Sequence, residues 1–477
     1  MTVIDTQEID HGLLTSLLAD ETFWPAEPKT LAETGLEESL VESLVCKHLL
    51  VGGTCSGRKL SAQLALPFQI TEKMLGSLRT RQVIVHAGSA PFNDYYYSLT
   101  ERGRQYAQSF QRASSYVGPA PVPLMDYVIS VEAQAISAET VRREQLEAAL
   151  QGVSVDAQLF ELLGPAVNSG AGMFLYGAPG NGKSTLARRL TVCFGQEIWI
   201  PRVVSDDGQL IKLFDTSYHQ EVEMSASAKL RIQDYDRRWV RIKRPTVVVG
   251  GELTMDALEI RHDPRSNLSE APLQLKSNGG CLLIDDFGRQ RVAPAELLNR
   301  WIIPLENRHD FLTLSTGKKI QVPFEQLIIF STNLEPSDLV DEAFLRRIPY
   351  KIEIVDPSEE EFHQLFRIYA EGLGFEYNHS AVEHLLARHY RQAGRPLRRC
   401  HPRDILAQIK NYCVYHDLPL RMTPEIFDRI AQSYFTLVLR RPGLVANPAV
   451  TTGPRATPAT IVFDSTTGSS MNIPVEQ

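Results

Sequence analysis

The pattern of apolar and polar residues changes its period several times along the chain, and each change marks a predicted element. Near the N-terminus, apolar residues recur at helical spacing in three stretches, over residues 40–50, 58–66 and 70–80. A hairpin is predicted next, with strands at 83–85 and 95–99 and its turn at 88–91. A last helix is predicted over 100–110, so that 36–115 form a first α+β segment.

Three further segments carry no such period. Residues 1–35 are acidic and contain two prolines, which predicts a solvated arm; a partner-binding peptide around Phe23 and Trp24 is the alternative. Residues 116–136 begin with three closely spaced prolines, which stiffen a chain and predict an extended linker. Residues 441–477 are rich in Thr, Pro, Ser and Gly, and this composition predicts a disordered tail.

Between the linker and the tail, short apolar runs alternate with helical patterns, as in an α/β protein. The runs at 173–176, 281–284 and 326–332 end in polar residues and are typical of buried strands. Helices are then predicted over 359–371, 381–392, 402–415 and 424–439. The α/β core is accordingly placed at 137–355 and a helical region at 356–440.

Composition narrows the class of protein. A chain of 477 residues is too long for one hydrophobic core, so several domains are expected. The formal net charge of -8 excludes a wholly basic nucleic-acid coat, although it leaves room for a local basic surface. The six cysteines show no metal-ligand spacing, and no apolar run is long enough for a membrane span. We therefore expect a cytoplasmic protein without a membrane partner.

The strongest chemical motif is the glycine-rich loop that follows the run at 173–176. It matches G-x-x-x-x-G-K-[ST] at every fixed position and leads into a predicted helix. Its backbone N–H groups and the start of that helix favour a polyphosphate. Lys183 is expected to reach the β- and γ-phosphates of ATP, and Ser184 to hold Mg²⁺. The predicted nucleotide-binding residues are Gly177, Ala178, Pro179, Gly180, Asn181, Gly182, Lys183, Ser184 and Thr185.

Two later strands carry polar residues at their ends that complete the predicted site. Asp285 is expected to bind Mg²⁺, and Asp286 to polarise the attacking water. Asn333 stands where its side chain can orient water near the γ-phosphate. Asp286 and Asn333 are therefore predicted catalytic residues, and Ser184 and Asp285 predicted metal ligands.

In their order along the chain, the loop, the aspartate pair, the polar strand end and the later arginines resemble the AAA+ ATPase superfamily. The resemblance implies a P-loop three-layer αβα core with a C-terminal helical lid. It also implies a ring oligomer, with a hexamer as the expected size. Many members carry Glu where this chain has Asp286, so the rate of hydrolysis is left open.

The same resemblance gives roles to three arginines. Arg346 or Arg347 would be the arginine finger that acts on a neighbouring copy, with Arg347 preferred. Arg403 would be the sensor 2 arginine. The alternatives are a basic helix end for the first two residues and a surface pair with Asp404 for Arg403.

Two insertions in the core carry further patterns. Residues 197–204 and 209–214 predict a hairpin that turns at 205–208. Five basic side chains within 236–244 either face a polymer in a central pore or form a solvated strand face. A second predicted hairpin, at 311–322, resembles the pre-sensor-1 hairpin of one AAA+ branch, which includes MoxR-type chaperones.

The first segment, 36–115, resembles the winged-helix fold, with three helices followed by a two-stranded wing. It carries nine basic and six acidic side chains, a small excess for a DNA-binding domain. DNA binding and protein–protein contact are therefore both open. If the third helix enters a major groove, the expected DNA contacts are Arg58, Lys59, Lys73, Arg79 and Arg81.

Taken together, these patterns predict a Mg²⁺-dependent ATPase that hydrolyses ATP in a ring and remodels a macromolecular client. The winged-helix segment would recruit it through DNA or through a protein. One alternative is a MoxR-like protein-remodelling chaperone that binds no DNA. Another is a switch that binds ATP with little turnover.

Overall fold

The computed structural model describes residues 23–138, 140–153, 155–195, 197–222, 234–340 and 342–435. The predicted tail at 441–477 and most of the predicted acidic arm lie outside these residues, as does the end of the last predicted helix. None of the helices described is long and apolar enough to cross a membrane.

The N-terminal segment folds into helices around a small antiparallel sheet. Its strands are β1 (Cys55–Ser56), β2 (Ile84–Ala90) and β3 (Asp94–Leu99), in the spatial order β1-β3-β2. Its helices are Glu38–Gly52, Gly57–Leu64, Phe68–Thr80 and Glu101–Ala113. Ser56 caps the second helix by accepting a hydrogen bond from Lys59 N, and Thr100 caps the last by accepting one from Gly103 N. The winged-helix resemblance of this segment stays a prediction.

The hairpin of this segment turns later than its sequence predicts. Gly88 lies inside β2, where the register with β3 shifts between His86 and Gly88 as in a β-bulge. The turn follows at Phe92 and Asn93, whose φ angles are 61° and 57°. An isolated glycine is compatible with a bulge as well as with a turn, and this explains the wrong boundary.

The central region contains the remaining strands and most of the helices. Its strands are β4 (Val122–Pro123), β5 (Met173–Tyr176), β6 (Glu197–Pro201), β7 (Val203–Asp206), β8 (Gln209–Lys212), β9 (Trp239–Lys243), β10 (Thr246–Val249), β11 (Arg261–Asp263), β12 (Leu268–Glu270), β13 (Cys281–Ile284), β14 (His309–Thr313), β15 (Lys319–Pro323), β16 (Leu327–Thr332) and β17 (Tyr350–Glu353). Its α-helices are Leu124–Ala133, Arg143–Ala149, Ala157–Asn168, Lys183–Leu190, Leu273–Lys276, Pro294–Asn307, Pro336–Leu339 and Glu342–Arg347.

Five of these strands form a fully parallel sheet in the order β10-β13-β16-β5-β17. β5, β13 and β16 are the three strands that the apolar runs predict. Leu175 and Ile329 pack in the hydrophobic core on one face, and Phe174 and Phe330 in the core on the other. Strands buried on both faces need such continuous apolar runs. The sheet confirms a mixed α/β class and is consistent with a P-loop-like core.

A second sheet, of mixed direction, has the order β11-β12-β8-β7-β4. Its β7 and β8 form the hairpin predicted around 205–208, and β14 pairs with β15 as predicted for 311–322. The prediction that 197–201 belong to the first hairpin is wrong. These residues form β6 and pair with β9, about forty positions later, which local spacing does not reveal.

The predicted linker is wrong for its second half. Val122–Pro123 pair with β7, and Leu124–Ala133 form a helix. In this helix Tyr127 is buried; its hydroxyl donates to Leu275 O (3.3 Å) and accepts from Asn278 Nδ2 (2.9 Å). The prolines lie before the helix, so the apolar residues after them decide the structure of this stretch.

The aromatic residues of the predicted acidic arm pack against the chain itself. Phe23 lies against Trp239, with ring centroids 5.4 Å apart, and Trp24 meets the edge of Trp199 at 5.3 Å. Neither a solvated arm nor a partner-binding peptide describes these two residues. Burial of large rings is favourable, and the matching tryptophans lie far along the sequence.

The basic segment that contains β9 is tied to its own chain at three of its cations. Arg238 is buried and forms an ion pair with Asp236 at 2.7 Å. Arg241 pairs with Glu197 at 2.5 Å, and Arg244 donates to two backbone carbonyls. The two predictions for this segment, a pore face and a solvated face, are wrong for Arg238, because a desolvated guanidinium requires acceptors within the fold.

The C-terminal region is helical, as predicted. Its elements are Glu359–Leu373, His379–Leu385, a π-helical turn at Leu386–Arg391, His401–Tyr415 and Pro424–Tyr434. Ser358 and Glu361 form a capping box at its start. The helices enclose a core of their own around Phe362, Phe366 and Phe427, so this region packs largely on itself.

Candidate active site

The glycine-rich loop joins the end of β5 to the helix Lys183–Leu190. Gly177, Gly180 and Gly182 have φ angles of 127°, 85° and 88°, which side chains disfavour. A Cβ atom on Gly177 would lie 2.6 Å from Ile354 O, so the loop passes directly against the end of β17. β5 lies between β16 and β17, where the order of connections reverses. Parallel sheets bind ligands at the carboxyl ends of their strands at such points.

Lys183 is buried beneath the loop and bridges it to the next strand. Its Nζ donates to two loop carbonyl oxygens, at 2.9 and 3.0 Å, and to Asn333 Oδ1 at 2.7 Å. Burial lowers the pKa of this ammonium, while the charges of Asp286 and Asp285 act in the opposite direction. The contact brings the polar end of β16 against the loop.

Ser184 and Asp285 meet across the gap between the loop helix and β13. Ser184 Oγ donates to Asp285 Oδ1 at 2.7 Å. Gln290 holds the turn after β13, because its Nε2 donates to Asp285 O (2.8 Å) and its Oε1 accepts from Gly288 N (2.9 Å). A hydroxyl and a carboxylate oxygen side by side are ligands of the kind that Mg²⁺ takes, so the pair fits the predicted metal.

Asp286 projects from the same turn and is exposed. Its φ of 51° lies in the left-handed region, which Asp tolerates better than most residues. The next residue, Phe287, is buried and anchored: its N–H donates to Ser331 O (2.7 Å), and its carbonyl accepts from Thr332 Oγ1 (2.9 Å). Asn333 Nδ2 donates to Asp286 Oδ1 at 3.4 Å. Lys183, Asp286 and Asn333 are thus brought together above the ends of β13 and β16.

The C-terminal helical region touches the loop through residues that the sequence pattern does not single out. Asn181 is buried, and its Nδ2 donates to Asp356 Oδ1 at 2.7 Å. Its Oδ1 accepts from Arg399 N at 3.3 Å. Arg398 forms an ion pair with the same Asp356 oxygen. Loop and helical region are therefore joined through one amide and one carboxylate.

A backbone contact reinforces this junction. Cys400 N donates to Gly180 O at 2.9 Å. A Cβ atom on Gly180 would lie 2.6 Å from Cys400 Sγ, so only glycine fits there without displacement. A sequence signal for this junction exists in the basic pair Arg398-Arg399 directly before a helix, although the pair matches no motif.

The predicted position of Arg403 at the nucleotide is not observed. Its side chain is 61% exposed and pairs with Asp404 at 2.8 Å, which is the surface pair weighed as the alternative. Arg403 lies within the first turn of the helix His401–Tyr415, whereas the residues against the loop precede that helix. The arginines that the structure brings to the loop are Arg399, whose N–H donates to Asn181, and Arg398, which is joined to it through Asp356.

Arg346 and Arg347 end the helix Glu342–Arg347 and differ in their surroundings. Arg347 Nε donates to Glu306 Oε1 at 2.6 Å, within the same chain. Arg346 is exposed. Of the two residues predicted as the finger, Arg346 is thus the more accessible, whereas Arg347 is the one preferred from the sequence.

The five cations predicted to touch DNA are all exposed, but they differ in their contacts. The three arginines contact their own chain: Arg58 lies over the Phe68 ring at 4.5 Å, Arg79 bonds to His86 at 3.2 Å and Arg81 pairs with Glu42 at 2.6 Å. Arg81 in particular is directed to a carboxylate that is nearly buried.

Residues 358–433 match the family model of a Domain of unknown function (DUF8689), which covers the C-terminal helical region. No curated protein sequence matches the chain. Among solved structures, the chain is similar to NtrX from Brucella abortus, with 14% identity, 59% of this chain covered and a TM-score of 0.37. A structure of the same NtrX in complex with ADP gives 13% identity, 59% of this chain covered and a TM-score of 0.37. The chain spans 56% of the length of each NtrX structure.

A structure described as transcriptional regulator PA4135 is also similar to part of the chain. The match has 24% identity and a TM-score of 0.14, and it covers 17% of this chain and 59% of that one. The molecule itself is a mixed α/β protein with a five-stranded parallel sheet of the kind found in P-loop cores.

Proposed function

We propose that this chain is a Mg²⁺-dependent ATPase of AAA+ type. The supporting observation is that Lys183, Ser184, Asp285, Asp286 and Asn333 converge at the carboxyl ends of three neighbouring parallel strands. The convergence combines a glycine-rich loop, a buried ammonium, a hydroxyl–carboxylate pair and an exposed carboxylate. These are the parts that transfer of a phosphoryl group to water requires.

ATP would bind with its β- and γ-phosphates in the loop. Lys183 Nζ contacts three oxygen atoms of the protein at 2.7 to 3.0 Å, and phosphate oxygens would take over some of these contacts. Because Lys183 is buried, such contacts form in a medium of low dielectric, where they are strong. Ser184 and Asp285 would hold Mg²⁺, which when bound neutralises phosphate charge.

In hydrolysis, a water oxygen forms a bond to the γ-phosphorus while the bond from that phosphorus to the β–γ bridging oxygen breaks. ADP leaves, and the protons of the water end on inorganic phosphate and in solvent. Asp286 would accept a hydrogen bond from the attacking water. Asn333 donates to Asp286 and would fix the direction of its carboxylate.

A second copy of the chain would complete the site. The exposed Arg346 would stabilise charge on the γ-phosphoryl group of a neighbour, as an arginine finger does. We expect a ring, with six copies, in which hydrolysis moves the C-terminal helical region and remodels a macromolecular client. The N-terminal segment would recruit the ring through DNA or through a protein.

The test compares Asp286→Asn with Asp207→Asn in the full chain. Asp207 is a matched control, because it is also exposed and has the same φ of 51°, in the turn between β7 and β8. Asp286→Asn should lower Mg²⁺-dependent phosphate release from ATP about 100-fold or more, since a positioned base contributes that much. Asp207→Asn should leave it unchanged. Both variants should bind ATP, measured by fluorescence titration with a labelled analogue.

Two results would contradict the proposal. One is a chain that binds no ATP in the presence of Mg²⁺. The other is an Asp286→Asn variant that releases phosphate as fast as the unchanged chain does.

A further inference from the structure

Asp356 connects the glycine-rich loop to the C-terminal helical region. It follows β17 and precedes the capping box at Ser358. Its Oδ1 is shared by two donors, Asn181 Nδ2 at 2.7 Å from the loop and Arg398 Nη1 from the helical region. One carboxylate oxygen therefore accepts hydrogen bonds from both the loop and the helical region.

The amide of Asn181 is satisfied on both of its ends. Its Nδ2 is bound by Asp356, and its Oδ1 by the backbone N–H of Arg399. The residue is 3% exposed, and Cys400 N holds the neighbouring Gly180 O. The Asn181 side chain needs an oxygen acceptor at position 356, and the amide oxygen of an asparagine could also supply one.

Arg398 differs from Asn181, because its ion pair with Asp356 depends on the negative charge of that carboxylate. The Arg398 side chain is 20% exposed, whereas that of Asp356 is 39% exposed, so the carboxylate remains open to water while the guanidinium is mostly covered. Arg398 also lies against the loop, because a Cβ atom on Gly180 would be 3.7 Å from Arg398 Cβ. Two cations, one from beneath the loop and one from the helical region, thus approach the place where phosphates would bind.

We propose that Asp356 and the terminal phosphoryl group of a nucleoside triphosphate compete for Arg398, and that this competition sets how strongly the site distinguishes triphosphate from diphosphate. The inference rests on the proposed function, since it concerns the nucleotide of that site. A triphosphate brings a γ-group whose charge exceeds that of one carboxylate, so Arg398 exchanges partners. A diphosphate ends one phosphate earlier and leaves Arg398 on Asp356.

The two partners then have opposite effects when they are substituted. Asp356→Asn removes the competing charge but keeps an oxygen that can accept from Asn181. It should raise the affinity for a triphosphate about tenfold and leave the affinity for ADP unchanged, because a charge-assisted hydrogen bond is worth about that factor. Arg398→Ala should lower the affinity for the triphosphate by a similar factor, again without a change for ADP.

The experiment measures dissociation constants of the full chain for a non-hydrolysable ATP analogue and for ADP, both with Mg²⁺, by calorimetric titration. Glu361→Gln is the matched control: it removes a carboxylate charge five positions later, beside Arg399, and glutamine can preserve the capping box. Its ratio of the two constants should equal that of the unchanged chain. A purely structural role of Asp356 would shift both constants together.

The inference is overturned if Asp356→Asn and Arg398→Ala leave the ratio unchanged, or shift it in the same direction, while the unchanged chain binds both nucleotides. In that case the proposed function stands. If the unchanged chain binds neither nucleotide, the proposed function fails and the inference fails with it. Lys183→Ala, which should abolish binding of both nucleotides, separates specific binding at the loop from binding elsewhere.

Discussion

Two regions of this molecule carry clusters of cations, and the cations differ in their exposure to water. At the loop, Lys183 and Arg398 are largely withdrawn from water, and each is bound by oxygen atoms of its own chain. In the N-terminal segment, Lys59 and Lys73 are exposed. The cations of the first region are mostly covered by protein, whereas these two lysines of the second are open to solvent.

The difference indicates how each region would bind an anion. A buried cation must exchange one partner for another, so the protein's own acceptors set its selectivity, and salt has little effect. An exposed cation gives up only water and counterions, so its binding would be sensitive to salt and weakly selective. Selective binding is therefore expected at the loop, and recruitment at the N-terminal segment.

The largest expected effect tests an exposed cation of the core. Arg346→Ala should lower ATP hydrolysis about 1,000-fold, as loss of an arginine finger does. Arg347→Ala is the control and should change hydrolysis far less, because Arg347 already pairs with Glu306 in its own chain. The measurement is Mg²⁺-dependent phosphate release at a fixed concentration of chain.

A mixing experiment decides whether this arginine acts on a neighbour. Chains with Arg346→Ala and chains with Asp286→Asn should regain activity together, because some interfaces then contain both intact residues. Equal losses for Arg346→Ala and Arg347→Ala would show that internal pairing does not predict availability.

A smaller effect is expected at the N-terminal segment. If this segment binds duplex DNA, Lys73→Ala should weaken binding several-fold and reduce the salt dependence by about one unit of slope. Arg81→Ala should change the DNA affinity less, since Arg81 is engaged by Glu42 at 2.6 Å. Fluorescence anisotropy at several salt concentrations measures both quantities.

Two results would give this segment a different role. Absence of salt-sensitive DNA binding would favour a protein partner. A larger loss for Arg81→Ala than for Lys73→Ala would mean that the ion pair opens on binding.

A further effect concerns stability as the pH falls. His401 is bonded to the Tyr390 hydroxyl at 2.9 Å, and burial together with the charge of Arg398 lowers its pKa to about 4. In the unfolded chain its pKa is about 6.5, so between these values only the unfolded state takes up the proton. The free energy of unfolding should therefore fall as the pH decreases from about 6.5 to 4.

Urea unfolding at several pH values measures this slope for the unchanged chain and for His401→Gln. The variant cannot take up that proton, so its stability should decline less steeply. Identical slopes would mean that His401 takes up its proton equally in the folded and in the unfolded protein.

Much of the core could be predicted from the sequence, because its signals are local. The apolar run of β5, the glycines after it and the helix that starts at Lys183 lie within about twenty positions, and the structure has them with the expected bounds. Asp285 and Asp286 follow directly on a buried strand. In each case the neighbouring residues determine both the element and the position of the side chain on it.

The junction between the loop and the helical region could not be predicted in this way. Asn181 and Arg399 lie 218 positions apart, and no local pattern records which of several nearby arginines reaches the loop. Arg403 is the residue that the resemblance to AAA+ proteins predicts, but its side chain is exposed and pairs with Asp404. The pairing of β6 with β9 and the burial of Phe23 are similar cases, because their partners are also remote in sequence.

The close approach of Ile354 to Gly177 has a mechanical consequence. Ile354 O faces Gly177, Val355 O accepts from Arg399, and Asp356 holds Arg398 and Asn181. Three consecutive residues thus touch the loop on one side and the helical region on the other. We therefore expect that a rotation of the helical region about these three residues would also displace the loop.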